Sequence, residues 1–351
     1  MSKKKTTFAA CKGCKMHLIT TYDKIDRAEW DALIRSSRTG TWFQSPNAYE
    51  FYASLPSVMK PFVVAVHHQT LRAICVGYIT VSTNAFMQFF TRRAIIIGGP
   101  TLADDVTENE VIDLMNAVRE RLVSIRPKSH SPIYIETRNF NDYSPWRKAF
   151  EQAGFVYQPH LNFHIDTSSY DTMRERVSGN RSRQIKKALH NGAVIVEATS
   201  EEEVIAFYYL LKDLYARKVK RPLFPLSFFL AFYRQQLGKY LVVKYENKVI
   251  GGMMCPILPG RTIYEWFICG DDANYKAQNP SVIVTWAAMD YAAKNGLRRF
   301  DVMGAGVPDK PYGVREFKAE FGGDLVEHGR WLSIQKPILF AIGKLAVRVV
   351  G

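Results

Sequence analysis

The sequence predicts an α/β protein made of two similar lobes. Three observations lead there. The order two helices, a hairpin, a strand, a helix, a strand, a helix and a strand occurs twice along the chain. The 351 residues, 47% hydrophobic and 23% charged, suit two cores better than one. No apolar run approaches the roughly 20 residues needed to cross a bilayer, which excludes an integral membrane protein.

In the first copy Asp26 and Glu29 have the spacing of a capping box, and Ser45-Pro46 sets a cap residue before a proline in the first turn. Strands are expected at PFVVAVH (61–67), LRAICVGYITV (71–81) and RAIIIGG (93–99). A helix follows over 106–125, then a strand PIYIETR, a helix opened by Ser144-Pro145, and a strand FVYQPHLNFHI that closes the lobe near Ile165.

A basic helical segment, SGNRSRQIKKALHNG (178–192), and a short strand AVIVEA introduce the second copy. Helices over 201–217 and 225–237 precede a hairpin KYLVVKYENKVIGGMMCPIL that turns at Glu246-Asn247. A strand RTIYEWFIC, a helix over 280–295 closed by Gly296, a strand RRFDVM, a helix over 313–321 and a strand DLVEHGRW complete it. The expected organisation is a basic tail over 1–16, lobes over 17–165 and 166–335, the second catalytic, and an amphipathic helix over 336–351.

The formal charge of +14 and pI near 9.5 imply an anionic partner, whether nucleic acid, membrane surface or phosphorylated substrate. Lys3, Lys4 and Lys5 read as a solubilising tail. Five cysteines, three of them in apolar strand-like runs, do not form a disulfide framework. With no signal-peptide core at the start, a cytoplasmic protein is expected. Cys11 and Cys14 with His17 have metal-like spacing but lack a second ligand pair, so no metal is assigned.

Several stretches in order, TWFQSPNAYEFY, NRSRQIKKALHNG, YEWFICGDDANYKAQNP, FDVMGAG and GVREFKAEFGGDLVEHG, resemble the Fem-type aminoacyltransferases that build peptidoglycan bridges and the related GNAT-like acyltransferases. The resemblance runs from Thr41 to Trp331. It implies two tandem GNAT-like lobes with mixed sheets, and direct transfer of an activated acyl group to an amine with no covalent enzyme intermediate. The sequence agrees in carrying no nucleophile elbow, catalytic-cysteine context or phosphate-binding P-loop.

Lys318, in Phe317-Lys318, matches the lysine that in Fem-type enzymes faces the reacting ester, where an ammonium stabilises the oxyanion or holds the donor phosphate. Without the resemblance it reads as an exposed helix lysine that adds little to stability. Arg181, Arg183, Lys186 and Lys187 match basic residues that the family uses for precursor phosphates, and Arg183 with Lys187 lie one turn apart. Tyr264, Glu265 and Asp301 are expected at the cleft as groups that orient or deprotonate the amine, and none stands out as a general base. Gly304 and Gly306 are expected to let the following loop turn and approach a ligand.

Three functions compete. The first is transfer from aminoacyl-tRNA to a peptidoglycan precursor. The second uses acyl-CoA or an acyl carrier against a sugar, amino acid or lipid amine, with no tightly bound cofactor in either case. The third is a noncatalytic basic module for nucleic acid, which lacks a recognisable binding signature. KAQNPSVIV has no glycine where GNAT enzymes cradle the CoA pyrophosphate. The span between Val194 and Lys239 leaves no room for the helical-hairpin arm of many bridge-forming relatives. The C-terminal run, with Lys344 and Arg348 one turn apart, suits either an interfacial helix at an anionic membrane or a helix packed on the second lobe.

Overall fold

The computed structural model describes residues 16–81 and 91–350, with side chains as far as 343. The expected tail, Cys11 and Cys14 lie outside the described residues apart from Met16, as do the side chains of Lys344 and Arg348.

The first lobe contains β1 (His17–Ile19), α1 (Arg27–Ser36), α2 (Pro46–Ala53), β2 (Met59–His68), β3 (Thr70–Thr80), β4 (Ala94–Gly98), β5 (Thr101–Leu102), α3 (Glu108–Val123), β6 (Tyr134–Asn139), α4 (Arg147–Gln152) and β7 (Val156–Gln158). After β8 (Leu161–Asp166) come α5 (Tyr170–Arg176), α6 (Gly179–His190), β9 (Val194–Glu197), α7 (Glu201–Leu214) and α8 (Leu226–Arg234). The chain continues through β10 (Gly238–Tyr245), β11 (Lys248–Leu258), β12 (Thr262–Tyr264), β13 (Phe267–Gly270) and α9 (Pro280–Lys294). It ends with β14 (Arg299–Asp301), α10 (Gly313–Ala319), β15 (Asp324–Glu327), β16 (Arg330–Ile334) and α11 (Pro337–Val350).

Local chemistry sets the starts of these elements. The Asp26 carboxylate accepts from Glu29 N at 2.9 Å, and Ser45 caps α2 with Pro46 in its first turn. Glu29 does not close the expected box, because its carboxylate accepts instead from Leu71 N at 3.1 Å. Glu246 and Asn247 both have positive φ, 48° and 63°, as a two-residue hairpin turn with the twist of its strands requires.

Each lobe is a mixed sheet. The first runs β1-β2-β3-β4-β6-β16-β7 with β5 also on β3, and the second runs β15-β8-β14-β12-β11-β10-β9 with β13 also on β11. The parallel pairs β4·β6 and β12·β14 occupy equivalent places.

Three segments that read as single strands are each divided. FVYQPHLNFHI breaks at Pro159, which has no amide to donate to a ladder. DLVEHGRW breaks at Gly329, whose φ is 61° and whose missing Cβ would lie 2.3 Å from the Tyr157 ring. RTIYEWFIC breaks at Glu265 and Trp266. The first two breaks send β8 into the second sheet and β16 into the first, so the lobes exchange strands and no single cut in the chain separates the sheets. The boundary proposed near Ile165 falls within β8, a strand of the second sheet.

An aromatic seam joins the lobes. Phe43 meets Trp266 at 5.0 Å between centroids and Tyr264 at 5.3 Å, and Phe51 meets Phe228 at 5.1 Å. At the exchanged strand, Trp331 is buried and stacks on Phe150 at 4.9 Å. Trp331→Ala is expected to lower stability by about 3–5 kcal/mol. In urea titrations its unfolding should remain one transition for probes in either lobe. An early loss confined to the first lobe would show that the exchange does not couple them.

Candidate functional site

The break in the RTIYEWFIC strand makes the site. β12 and β14 run parallel, with Tyr264 opposite Asp301, and then part. Glu265 N donates to Asp301 O at 2.9 Å, whereas Trp266 N donates to Met254 O at 3.1 Å and the chain continues as β13 along β11. The sheet therefore opens where β14 ends.

Lys318 reaches into this opening from α10. Its ammonium donates to Val302 O at 2.7 Å and Gly304 O at 3.0 Å and pairs with Glu265 Oε1 at 2.7 Å. Three protons thus meet three acceptors. Lys318 is 8% exposed, which corrects the expectation of a solvated helix lysine: a buried cation is tolerated here because a buried carboxylate and two carbonyls compensate it. Burial pushes the Glu265 carboxyl above the ordinary range, and Lys318 partly offsets this. Met303 at φ 54° and Gly304 at φ 128° turn the loop after β14, as the glycine there led one to expect.

Phe317 and Phe321 anchor α10 in the second core, and the Arg181 guanidinium carbon lies over both rings, 4.5 Å from the Phe317 centroid and 5.7 Å from that of Phe321. Arg181 also pairs with Glu320 at 3.3 Å and donates to Gln184 Oε1 at 2.6 Å. It is committed to the protein. Arg183, Lys186 and Lys187 are exposed, so the expected cationic face divides into one internal clamp and three surface charges.

Asp301 is fully buried, and its Oδ1 accepts from Asn162 Nδ2 at 2.8 Å and Met303 N at 2.9 Å. Oδ2 lies 3.2 Å from His164 Nε2. Burial raises its carboxyl, but His164, Arg299 and Asn162 outweigh this and hold it below the usual carboxylate range. It orients its neighbours and is a poor proton acceptor. Tyr264 is enclosed in the aromatic seam and burial raises its hydroxyl, so the structure gives it a packing position against Phe43 and Phe140.

Sequence reasoning missed the groups supplied by exchanged strands. Asn162 and His164 come from β8, and the His328 ring, in the turn before β16, lies 5.3 Å from that of His164. Asn162 Oδ1 accepts from Gly304 N at 2.8 Å, which ties this group to the Lys318 cage. His160 Nε2 lies 3.5 Å from where a Gly304 Cβ would stand and 3.0 Å from an Arg330 nitrogen. Glu136 holds Arg330 at 2.7 Å and Arg138 at 3.1 Å. His160, Arg330 and Glu136 line a cavity of about 410 Å³ at the lobe seam, walled by Tyr134, Leu332 and Phe340. No local motif marks these residues, since apart from the Glu136–Arg138 contact their partners are over 100 positions away.

The equivalent opening in the first lobe is sealed. The Gln44 amide bridges β3 and β4, donating to Val76 O and Ile97 O at 2.9 Å each and accepting from Val76 N at 2.7 Å. Tyr143 donates to Pro100 O at 2.6 Å and lies against Gly99.

Residues 176–318, which end on Lys318, match the acetyltransferase (GNAT) domain family. No curated protein matches the chain in sequence. Among solved structures, the chain resembles FemX with a TM-score of 0.69 and 13% identity, over 92% of this chain and 99% of that one. It also resembles L-PGS from Bacillus licheniformis (0.55, 12%, 93% and 97%) and a tandem GNAT protein of the clavulanic acid biosynthesis pathway (0.54, 10%, 91% and 98%). The match to the acetyltransferase (GNAT) domain is confined to the second lobe, and the fold of the whole chain is that of FemX and of the tandem GNAT protein, with two GNAT-like lobes in tandem.

Lys318→Ala is expected to cost about 3–5 kcal/mol, because it strands Glu265 and two carbonyls without their donor. Lys318→Met combined with Glu265→Met should recover much of that stability but none of the turnover. Full activity in the double variant would make the pair purely structural.

Burial, with Arg330 beside one ring and His164 beside the other, lowers His160 and His328 to about 4. The unfolded chain titrates them near 6.5, so between pH 6.5 and 4 it binds more protons and stability should fall as pH falls. Melting temperatures of His160→Gln and His328→Gln across that window should show a shallower slope than the parent. An equal slope would place the acid sensitivity elsewhere.

Proposed function

We propose that the protein passes an aminoacyl group from a carrier ester to the amine of a phosphorylated acceptor of the cell-wall-precursor kind. The observation that carries this reading is the ion-paired Lys318 at the open end of β12 and β14, with the His160-lined cavity beside it. The cavity takes the acceptor. Its amine attacks the carbonyl carbon, the carrier C–O bond breaks, and the proton lost by the amine passes to the leaving oxygen. Lys318, whose three protons are held by Val302 O, Gly304 O and Glu265, acts by fixing the loop against which the acyl group lies.

Acceptor phosphates fit the exposed Lys218, Lys220 and Arg221 after α7, since Arg221 is near enough to His160 and Arg330 to act on both electrostatically. Lys220→Glu with Arg221→Glu is expected to raise KM for a phosphorylated acceptor roughly tenfold or more, with a smaller effect on kcat. An unchanged KM would remove the segment from the acceptor site.

The donor separates two readings. GNAT domains use acyl-CoA, and the match over 176–318 favours a thioester. Against it, Asp272 occupies the first turn of α9, accepting from Ser281 N at 3.0 Å and Ser281 Oγ at 2.5 Å, where a pyrophosphate would need free amides. A tRNA ester needs no such cradle, and a net charge of +14 suits a polyanion. Purified protein given charged tRNA, acyl-CoA and acyl carrier against a panel of cell-wall and lipid amines should yield an aminoacylated precursor with tRNA, identified by mass spectrometry. Product with acyl-CoA alone would establish the second reading, and no product from any donor would reject both.

A lipid-linked acceptor also suits α11. The helix packs Phe340 on Tyr134 of the first lobe at 5.4 Å and leaves Ile338 78% and Ile342 46% exposed one turn apart. No helix among the described residues is long and apolar enough to cross a membrane. The exposed pair fits peripheral contact at an anionic surface. Flotation with phosphatidylglycerol vesicles is expected for the full chain and should be lost in Ile338→Glu/Ile342→Glu. Failure of the parent chain to float would exclude this contact.

A further inference from the structure

A second cavity, of about 480 Å³, lies on the far side of the second sheet, between α5, α6 and α9. The two faces are chemically distinct. Phe300 and Ile263 point into the core beneath these helices, whereas Asp301 and Tyr264, their neighbours along the strands, point toward the first lobe. The cavity is therefore separate from the Lys318 opening, and its contents do not depend on the reaction proposed above.

Its floor is apolar, formed by Val177, Ile185, Ile195 and Trp286. Leu189 on its rim is 42% exposed, an unusual place for a leucine on a helix whose other outward residues are mostly charged or polar. The rim is cationic. Lys294 pairs with Asp290 at 2.8 Å, and Tyr170 donates to the same carboxylate at 3.0 Å, so the one acid in the lining is consumed. Arg174 and Lys186 have no carboxylate within ion-pair distance among the described residues. Two uncommitted cations above an apolar floor complement a ligand with an anionic head and an apolar body. A bare phosphate would leave the floor wet, and a neutral apolar molecule would leave both cations unused.

We propose that this groove binds a soluble acyl anion, a medium-chain carboxylate whose head meets Arg174 and Lys186 and whose chain lies on Ile185 and Trp286. The test is calorimetric titration of the full chain with decanoate, with decyl glucoside as the neutral-head control and phosphatidylglycerol vesicles as the membrane control. Saturable one-site binding of decanoate is expected, weaker by roughly tenfold or more for the glucoside and for Arg174→Glu/Lys186→Glu. Both residues are exposed, so the double variant should fold, as circular dichroism would verify. Each of three results would overturn the proposal: no saturable decanoate binding, equal affinity for the neutral head, or affinity unchanged by charge reversal. Vesicle binding that depends on Arg174 and Lys186 while free decanoate does not bind would assign the groove to a membrane lipid and reject the soluble anion.

Discussion

A buried carboxylate at the point where two parallel strands part is tolerable only with a buried cation beside it. Glu265 and Lys318 satisfy that constraint, and much of the second lobe follows from it. The ammonium ties the loop after β14 to α10 through Val302 O and Gly304 O, and Phe317 and Phe321 hold α10 against the core and Arg181. Were either charge alone, desolvation would favour closing the opening with apolar side chains. In the first lobe Gln44 and Tyr143 close the equivalent opening.

The strand exchange gives this pair its surroundings. β8 brings Asn162 and His164 alongside Asp301, and the turn into β16 brings His328 and Arg330 across from the first sheet. The network runs from His164 through Asp301 and Asn162 to Gly304 and Lys318 within the second lobe, and His328 and Arg330 border it from the turn into β16 and from the first sheet.

The charge of the protein is not spread evenly in its effect. Arg181, Arg138 and Arg330 are spent on internal carboxylates. The exposed remainder, including the segment after α7 and the outward side of α6, is available to anions. The GNAT domain match falls on the second lobe, the one with the Lys318–Glu265 pair at its opening.

The sequence by itself determined the two-lobed α/β organisation, because helix caps, the Glu246-Asn247 turn and runs of β-branched residues act within a few positions of each other. It pointed to Lys318 through the family resemblance alone, and placed Glu265 and Asp301 on neighbouring strands without pairing either with Lys318. Only the tertiary structure decided that Lys318 is buried and fully bonded, that Arg181 is a clamp, and that Tyr264 is core. It alone brought His160, His164 and His328 to the site. The reason is physical: alternation and capping are local, whereas a strand broken at Pro159 or Gly329 chooses its sheet by partners more than a hundred residues away.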